Sequence, residues 1–249
     1  MVWTIEPLAL HRVRVPGPEV FFQRGFDEMV TLVIYAFVLR QAGQVCLVDT
    51  GLPAAHSELN RSIRLRKGAD SGFEPVAAPL PALLAERELH PDLVLLTSFG
   101  PYTTGHLAAF DGLPLVVAAR GCADLLQPEE PALVHAPSPL ARERLLAGQR
   151  VSGTRELLPG LHFQEVGVHH PASSAVLVDT VQGRIGISDP VFMARNLLEG
   201  VALGAAEQAS LWHAHVRMLG ERCDALLPIH DPDPRPVARA RWHASLAAQ

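Results

Sequence analysis

Carboxylate and imidazole groups gather at the ends of apolar runs in this chain. Asp49 closes "VCLVD" and begins "DTG" at 49–51, and Asp189 follows "RIGIS" in "SDP" at 188–190. His169 and His170 stand together in "GVHHP" at 167–171, while His230 and Asp231 follow an apolar run in "LPIHDP" at 227–232. Groups of these types at several strand ends are what a hydrolytic metal centre needs. They supply nitrogen and oxygen ligands, and the ion they hold lowers the pKa of bound water and polarises a carbonyl. A fifth segment, "TSFGPYTTGH" at 97–106, has the same setting after "LVLL" but carries Ser98, Gly100, Tyr102 and Thr103 where reactive groups would sit.

Buried strands are required to aim such residues. Runs rich in Val, Ile and Leu occur at 32–40, 45–49, 93–97, 114–118, 174–179, 184–188 and 225–229. Several are apolar at nearly every position, the pattern of strands covered on both faces. Helix-like segments fall near 80–89, 119–127, 138–149 and 205–220, with another after Pro236; the Pro-rich stretches 74–81 and 128–139 read as loops. The cluster "RSIRLRKG" at 61–68 reads as a solvated helix or loop. Strands and helices interleave without a linker, so the expectation is one α/β domain over residues 1–249 with helices outside buried sheet. "GQVCLVD" at 43–49 and "GRIGISD" at 183–189 share a Gly turn, a five-residue run and a closing Asp, which suggests a duplicated hairpin and two sheets.

Composition narrows the partners. The chain has 249 residues, 48% of them hydrophobic, and a formal charge of −5, with its basic residues scattered. Nucleic-acid and anionic-membrane binding draw on a basic footprint that this balance does not provide. Cys46, Cys122 and Cys223 lack CxxC spacing, which suits free buried thiols in a reducing compartment. No leader-like start and no apolar run long enough to span a membrane are visible, so the expected location is cytoplasmic and the expected partner a small molecule.

The order of these segments resembles the metallo-β-lactamase superfamily, in particular its N-acyl homoserine lactonase-like branch, from about residue 30 to residue 232. "YAFVLRQAGQVCLVDTGL" is similar to the opening hairpin and Asp-Thr-Gly turn. "VGVHHPASSAVLVDT" resembles the segment of the third metal-binding histidine, "GRIGISDPVFMARNL" the strand of the bridging aspartate, and "LLPIHDP" the terminal histidine motif. The resemblance implies a four-layer αββα sandwich of two mixed β-sheets flanked by helices. It places ligand roles on His169, Asp189 and His230, and the pair Asn196-Leu197 adds to the lactonase likeness.

The signature T-H-x-H-x-D-H-x-G departs from that pattern. Laid on Thr97 to Gly105, its four ligand positions become Ser98, Gly100, Tyr102 and Thr103. Each of the two metal sites then retains two protein ligands, fewer than the three or four that a zinc site uses. A binuclear zinc centre is therefore not expected. A single relocated zinc or iron on His169, Asp189 and His230 is one alternative. A hydrogen-bonded His–Asp–His arrangement plugged by Tyr102 is another. In a third, Asp189 orients a histidine as general base while Tyr102 or Ser98 donates to an oxyanion.

Residues near the strand ends that would face a substrate are Phe99, His106, His170, Phe192 and Met193, an apolar and aromatic set. His213 and His215, two apart on a helix, read as surface residues, and Asp49 and Asp231 as turn-forming carboxylates. Three functions fit. One is an atypical hydrolase of a small apolar or aromatic ester, lactone, thioester or activated ether. Another is a non-catalytic or pocket-completing subunit beside a paralogue with an intact metal signature. The third is a small-molecule binding module in the old cleft.

Overall fold

The computed structural model describes residues 2–127, 137–205 and 208–247. The described residues form two mixed sheets, and the chain fills them in sequence. The first holds β1 (Thr4–Pro16), β2 (Met29–Gln41), β3 (Gln44–Val48), β4 (Glu74–Pro75), β5 (Leu93–Leu95), β6 (Leu115–Ala118) and β7 (Gln149–Val151), in the order β4-β1-β2-β3-β5-β6-β7. The second holds β8 (Thr154–Leu158), β9 (Leu161–Glu165), β10 (Ser174–Thr180), β11 (Gly183–Ser188), β12 (Ala225–Leu227) and β13 (Val237–Ala238), in the order β13-β12-β11-β10-β9-β8. Flanking them are α1 (Gly17–Val20), α2 (Ser57–Lys67), α3 (Leu80–Glu86), α4 (Pro101–Thr104), α5 (Ala119–Leu126), α6 (Pro139–Ala147), α7 (Ala194–Glu199), α8 (Ala209–Arg222) and α9 (Arg239–Ala247). This is the expected α/β architecture, two mixed sheets with helices outside them.

Side-chain alternation assigns the faces. In β5 and its extension, Val94 and Leu96 join Leu80 and Leu84 of α3 and Leu145 of α6, while Leu95 faces the cluster shared with the second sheet. In β6, Leu115 and Val117 go to the helices and Val116 to the other layer. A side-chain period of two makes this the only arrangement that buries both faces of an all-apolar strand. Each such residue contributes about 1.5–3 kcal/mol by leaving water. On the far side, Trp212, Val216 and Leu219 of α8 cover the second sheet.

The internal echo marks equivalent hairpins, one in each sheet. β2 and β3 pair antiparallel up to Gln41↔Gln44, and β10 and β11 up to Thr180↔Gly183, so both loops are two residues long. The first loop, Ala42-Gly43, has positive φ at both positions (46° and 86°), the geometry whose twist matches the flanking strands. Each second strand then delivers an aspartate, Asp49 and Asp189, past its last paired residue.

Some sequence expectations need correction. The opening segment, read only for its lack of a leader, is the 13-residue β1. Its two prolines mask it, but Pro7 lies where β1 has β2 on one side only, since β4 reaches only His11 and Arg12. The basic cluster at 61–68 belongs mostly to helix α2, one of the two readings expected for it, whereas β4 lies within the expected loop at 74–81. The helix expected over 205–220 runs over Ala209–Arg222, and that over 138–149 stops at Ala147, where β7 soon follows. Of the loop expected at 128–139, residues 128–136 lie outside the described residues. Cys46, Cys122 and Cys223 are free and buried, and no helix among the described residues is long and apolar enough to cross a membrane.

Candidate active site

A relay of backbone and side-chain bonds joins the two sheets where their polar strand ends meet. Asp49, 3% exposed and in the left-handed region (φ 61°), accepts the Thr97 N–H at 2.8 Å and the Thr97 hydroxyl at 2.6 Å. The Thr97 carbonyl takes the Ser174 N–H at 2.8 Å, and the Ser174 carbonyl takes the Asp189 N–H at 3.1 Å. Asp49 is thus a positioning carboxylate, as expected, although its bonds cross to the neighbouring strand rather than closing its own turn. Burial pushes its pKa up to about 7 against the Thr97 bonds, which favour the charged form.

Asp189 is the buried anchor of the second sheet's contribution, 1% exposed. Its Oδ2 lies 3.0 Å from His169 Nδ1 and accepts the Ser173 hydroxyl at 2.5 Å, while His170 Nε2 stands 3.9 Å from the same oxygen. Burial works to raise its pKa, but His169, the bond to it, His170 and Ser173 together hold the carboxyl below the usual range. A carboxylate can only accept, so in the neutral ring His169 carries its proton on Nδ1 and has Nε2 as the acceptor. The two histidines sit on the tight turn before β10, where Ser173 N–H bonds the His170 carbonyl and His169 adopts φ 82°. A non-glycine residue there is strained, and such strain concentrates at functional sites. The imidazoles stack with centroids 3.9 Å apart, and burial, then His169, drives the His170 pKa down to about 4.

His230 reaches the same region by another route. Beyond β12, the N–H groups of Ile229 and His230 bond the carbonyls of Val191 and Phe192. The His230 carbonyl takes the Val33 N–H of β2, and His230 Nδ1 donates to the Val33 carbonyl at 2.9 Å. Its pKa is pushed down to about 4, chiefly by burial, so the ring is neutral near pH 7. Phe192 packs edge-on against both His169 (centroids 5.4 Å) and His230 (4.6 Å). His169, His170 and Asp189 bring ligand atoms within 4.8 Å of one another; among the described residues this is the one such group, and His230 is outside it. The sequence pointed to His169, Asp189 and His230; the ligand atoms that stand together here are those of His169, His170 and Asp189.

A cavity of about 340 Å³ opens in front of these residues. His169, His170, His230, Tyr102 and Phe192 line its polar end, and Val13, Val15, Leu32, Ile34, Ile63 and Phe73 form apolar walls. Glu19, Arg66 and Lys67 also line it, with Lys67 bonded to Glu19 at 2.7 Å. Burial, then the charges of Asp189 and Asp49, raise the Tyr102 pKa, so its hydroxyl stays a proton donor. Val13 and Val15 were missed because β1 was; the alternation of "HRVRV" is the signal that finds them. Ser173 carries no comparable signal.

Other expected contacts fall elsewhere. Ser98 is fully buried, with its hydroxyl 3.5 Å from that of Thr103, and cannot face the cavity as a nucleophile or donor. Phe99 packs beneath the first sheet's helices, and Met193 caps α7, so neither lines the cavity. His106 donates its N–H to Thr50 and stands near His11, away from the cavity lining. His215 is buried rather than superficial, 2.9 Å from the Ser188 hydroxyl, whereas His213 is partly buried beside the Gly200 carbonyl. Asp231 does hold a turn, accepting the Ala194 and Asp233 N–H groups.

Neither a protein-family model nor a curated protein sequence matches the chain. Solved structures do. The fold is that of the metallo-β-lactamase-like hydrolases, and a hydrolase of the beta lactamase superfamily, AbOPH, superposes with a TM-score of 0.66 at 15% identity, over 95% of this chain and 89% of its own. B. thuringiensis AiiA, in a variant with N-decanoyl-L-homoserine bound at its active site, gives 0.76 at 15% identity, over 95% of this chain and all of that one. AidC, a dizinc quorum-quenching lactonase, gives 0.67 at 11% identity, over 95% and 90%.

The four signature positions carry Ser98, Gly100, Tyr102 and Thr103. At the signature positions, Thr103 Oγ1 donates to the Ser98 and Gly100 carbonyls at 2.8 and 2.9 Å, and Thr104 Oγ1 donates to the Gly100 carbonyl. The Tyr102 ring lies so close over Gly100 that a Cβ there would stand 2.6 Å from it. The loop is closed on itself and offers no histidine or carboxylate.

Proposed function

We propose that the chain is a hydrolase of small apolar or aromatic carbonyl compounds, lactones, esters or thioesters, or of activated ethers, working without a two-metal centre. The observation that carries this reading is the Asp189–His169 pair, buried at the polar end of a cavity with apolar walls. Asp189 fixes the imidazole tautomer, so His169 Nε2 takes a proton from water as the water oxygen attacks the carbonyl carbon. The Tyr102 hydroxyl donates to the oxyanion that forms, and the imidazolium returns its proton to the departing alcohol, thiol or opened-ring oxygen. Walls of Val, Leu and Ile exclude competing water and strengthen each polar contact. The apolar lining supports an acyl or aryl group as the recognised portion, and the lactonase neighbours support the carbonyl class.

The test is a panel of aryl esters, lactones and thioesters, assayed before and after Asp189→Ala and His169→Ala. Activity that both substitutions leave intact, or a panel with no substrate at all, overturns the reading. A second reading is favoured by the self-closed signature loop: a pocket-completing subunit beside a metal-bearing paralogue. A chain that is inert alone and active only when co-expressed with such a partner would decide for it.

A further inference from the structure

We propose that His169, His170 and Asp189 form a site for one divalent first-row metal ion, a two-imidazole, one-carboxylate set distinct from the ligand set of a two-metal centre. Its bearing on catalysis rests on the hydrolase reading; the site itself rests on geometry. Nitrogen and oxygen ligands about 2.0–2.2 Å from an ion stand roughly 3.0–3.5 Å from one another. His169 Nδ1 and Asp189 Oδ2 are 3.0 Å apart, a spacing that suits an ion taking the place of the Nδ1 proton, and His170 Nε2, 3.9 Å from that oxygen, would need to draw closer.

The decisive observation is what these groups leave unused. Asp189 Oδ1 and His170 Nε2 are both buried and find no hydrogen-bond partner among the described residues. Their side chains are only 1% and 9% exposed, so water does not compensate for the missing bonds. An ion here would draw on one carboxylate oxygen and two imidazole nitrogens, a donor set of the kind first-row dications take. His170 rather than His230 completes the set because its ligand nitrogen lies within 4.8 Å of those of His169 and Asp189, and that of His230 is outside this group. The donor set suits zinc or ferrous iron. The positions left by three protein ligands would open on the cavity, where the ion would supply Lewis acidity and acidify a bound water.

The experiment strips the purified full-length protein with chelator and reloads it separately with Zn(II) and Co(II). Metal per chain is read by plasma emission and the Co(II) ligand field by visible absorption. We expect one ion per chain. His170→Ala and His170→Gln should each weaken binding more than about 100-fold, beyond what losing an outlying hydrogen-bond partner costs. His230→Ala should retain the ion and the Co(II) spectrum. Circular dichroism of each variant separates lost binding from lost folding.

Less than about a tenth of an equivalent at saturating metal overturns the site. So does stoichiometric binding of two ions, or loss of metal in His230→Ala with retention in both His170 variants. A protein that binds one ion and hydrolyses nothing supports the site and sinks the hydrolase reading. One that hydrolyses its substrate yet takes up no ion does the reverse.

Discussion

The signature loop after β5 and the turn before β10 sit on opposite sheets and have opposite polar economies. In the loop, the Thr103 and Thr104 hydroxyls bond the loop's own carbonyls, and Thr50 ties it to the Asp-Thr-Gly turn. In the turn before β10, His169 holds a strained backbone angle and His170 Nε2 is buried with an open valence. A segment with every donor satisfied is stable and inert; one with orphaned, buried donors and acceptors retains binding capacity at a cost in stability. The comparison favours the second sheet for the acid–base pair and leaves the first sheet's loop as scaffold for one hydroxyl, that of Tyr102, in the proposed reaction.

The largest effect should come from cutting into the reactive side. Asp189→Ala should lower kcat/KM about 1000-fold on any substrate of the panel, because His169 loses both its orientation and its counter-charge. A loss under about tenfold would mean the second sheet's carboxylate is itself scaffold.

Acidification should act next, through buried histidines of both sheets. The folded-state pKa values of His11, His170, His215 and His230 are each lowered to about 4, with burial the main cause. Between pH 6.5 and 4 the unfolded chain binds these protons and the folded one does not. Their stabilisation is therefore complete above about 6.5 and is lost as pH falls toward 4. Asp49, raised to about 7, works the other way, because the folded state takes up its proton first. Four groups against one leave a net loss on the order of 1–4 kcal/mol per pH unit, readable from urea midpoints at pH 7.5, 6 and 5. Midpoints that do not move would show these rings are not buried as neutral species.

Within the scaffold loop, Gly100→Ala should cost about 1–3 kcal/mol, since its Cβ would meet the Tyr102 ring at 2.6 Å. In a Tyr102→Ala background the penalty should largely vanish, and a double-mutant cycle measures the coupling; additive effects would deny that the ring fills the old ligand space. Thr103→Val, the smallest change, should cost about 1 kcal/mol in thermal unfolding and leave turnover nearly unchanged. A turnover loss as large as that of Asp189→Ala would return the loop to the reaction.

Much of this was legible in the sequence. Apolar runs located the strands, and the repeated Gly-strand-Asp pattern identified a hairpin in each sheet, because alternation and two-residue turns are local properties. Asp189, His169 and Tyr102 could be named because they end or follow such strands. β1 was not legible, since prolines in an edge strand mimic loop. His215 was misjudged because two histidines on one helix reveal nothing of the Ser188 hydroxyl waiting across the core.

By itself, the order of residues determined the two sheets, which strand ends carry acid and base, and that Ser98, Gly100, Tyr102 and Thr103 stand in the loop after β5. Only the tertiary structure decided which imidazoles share Asp189. That choice turns on the tight turn that sets His170 beside His169 and on the bonds that hold His230 to Val33, 197 residues away in the chain. Ring orientation is set by partners that spacing along the chain cannot encode, so distant contacts settle which side chains can act together.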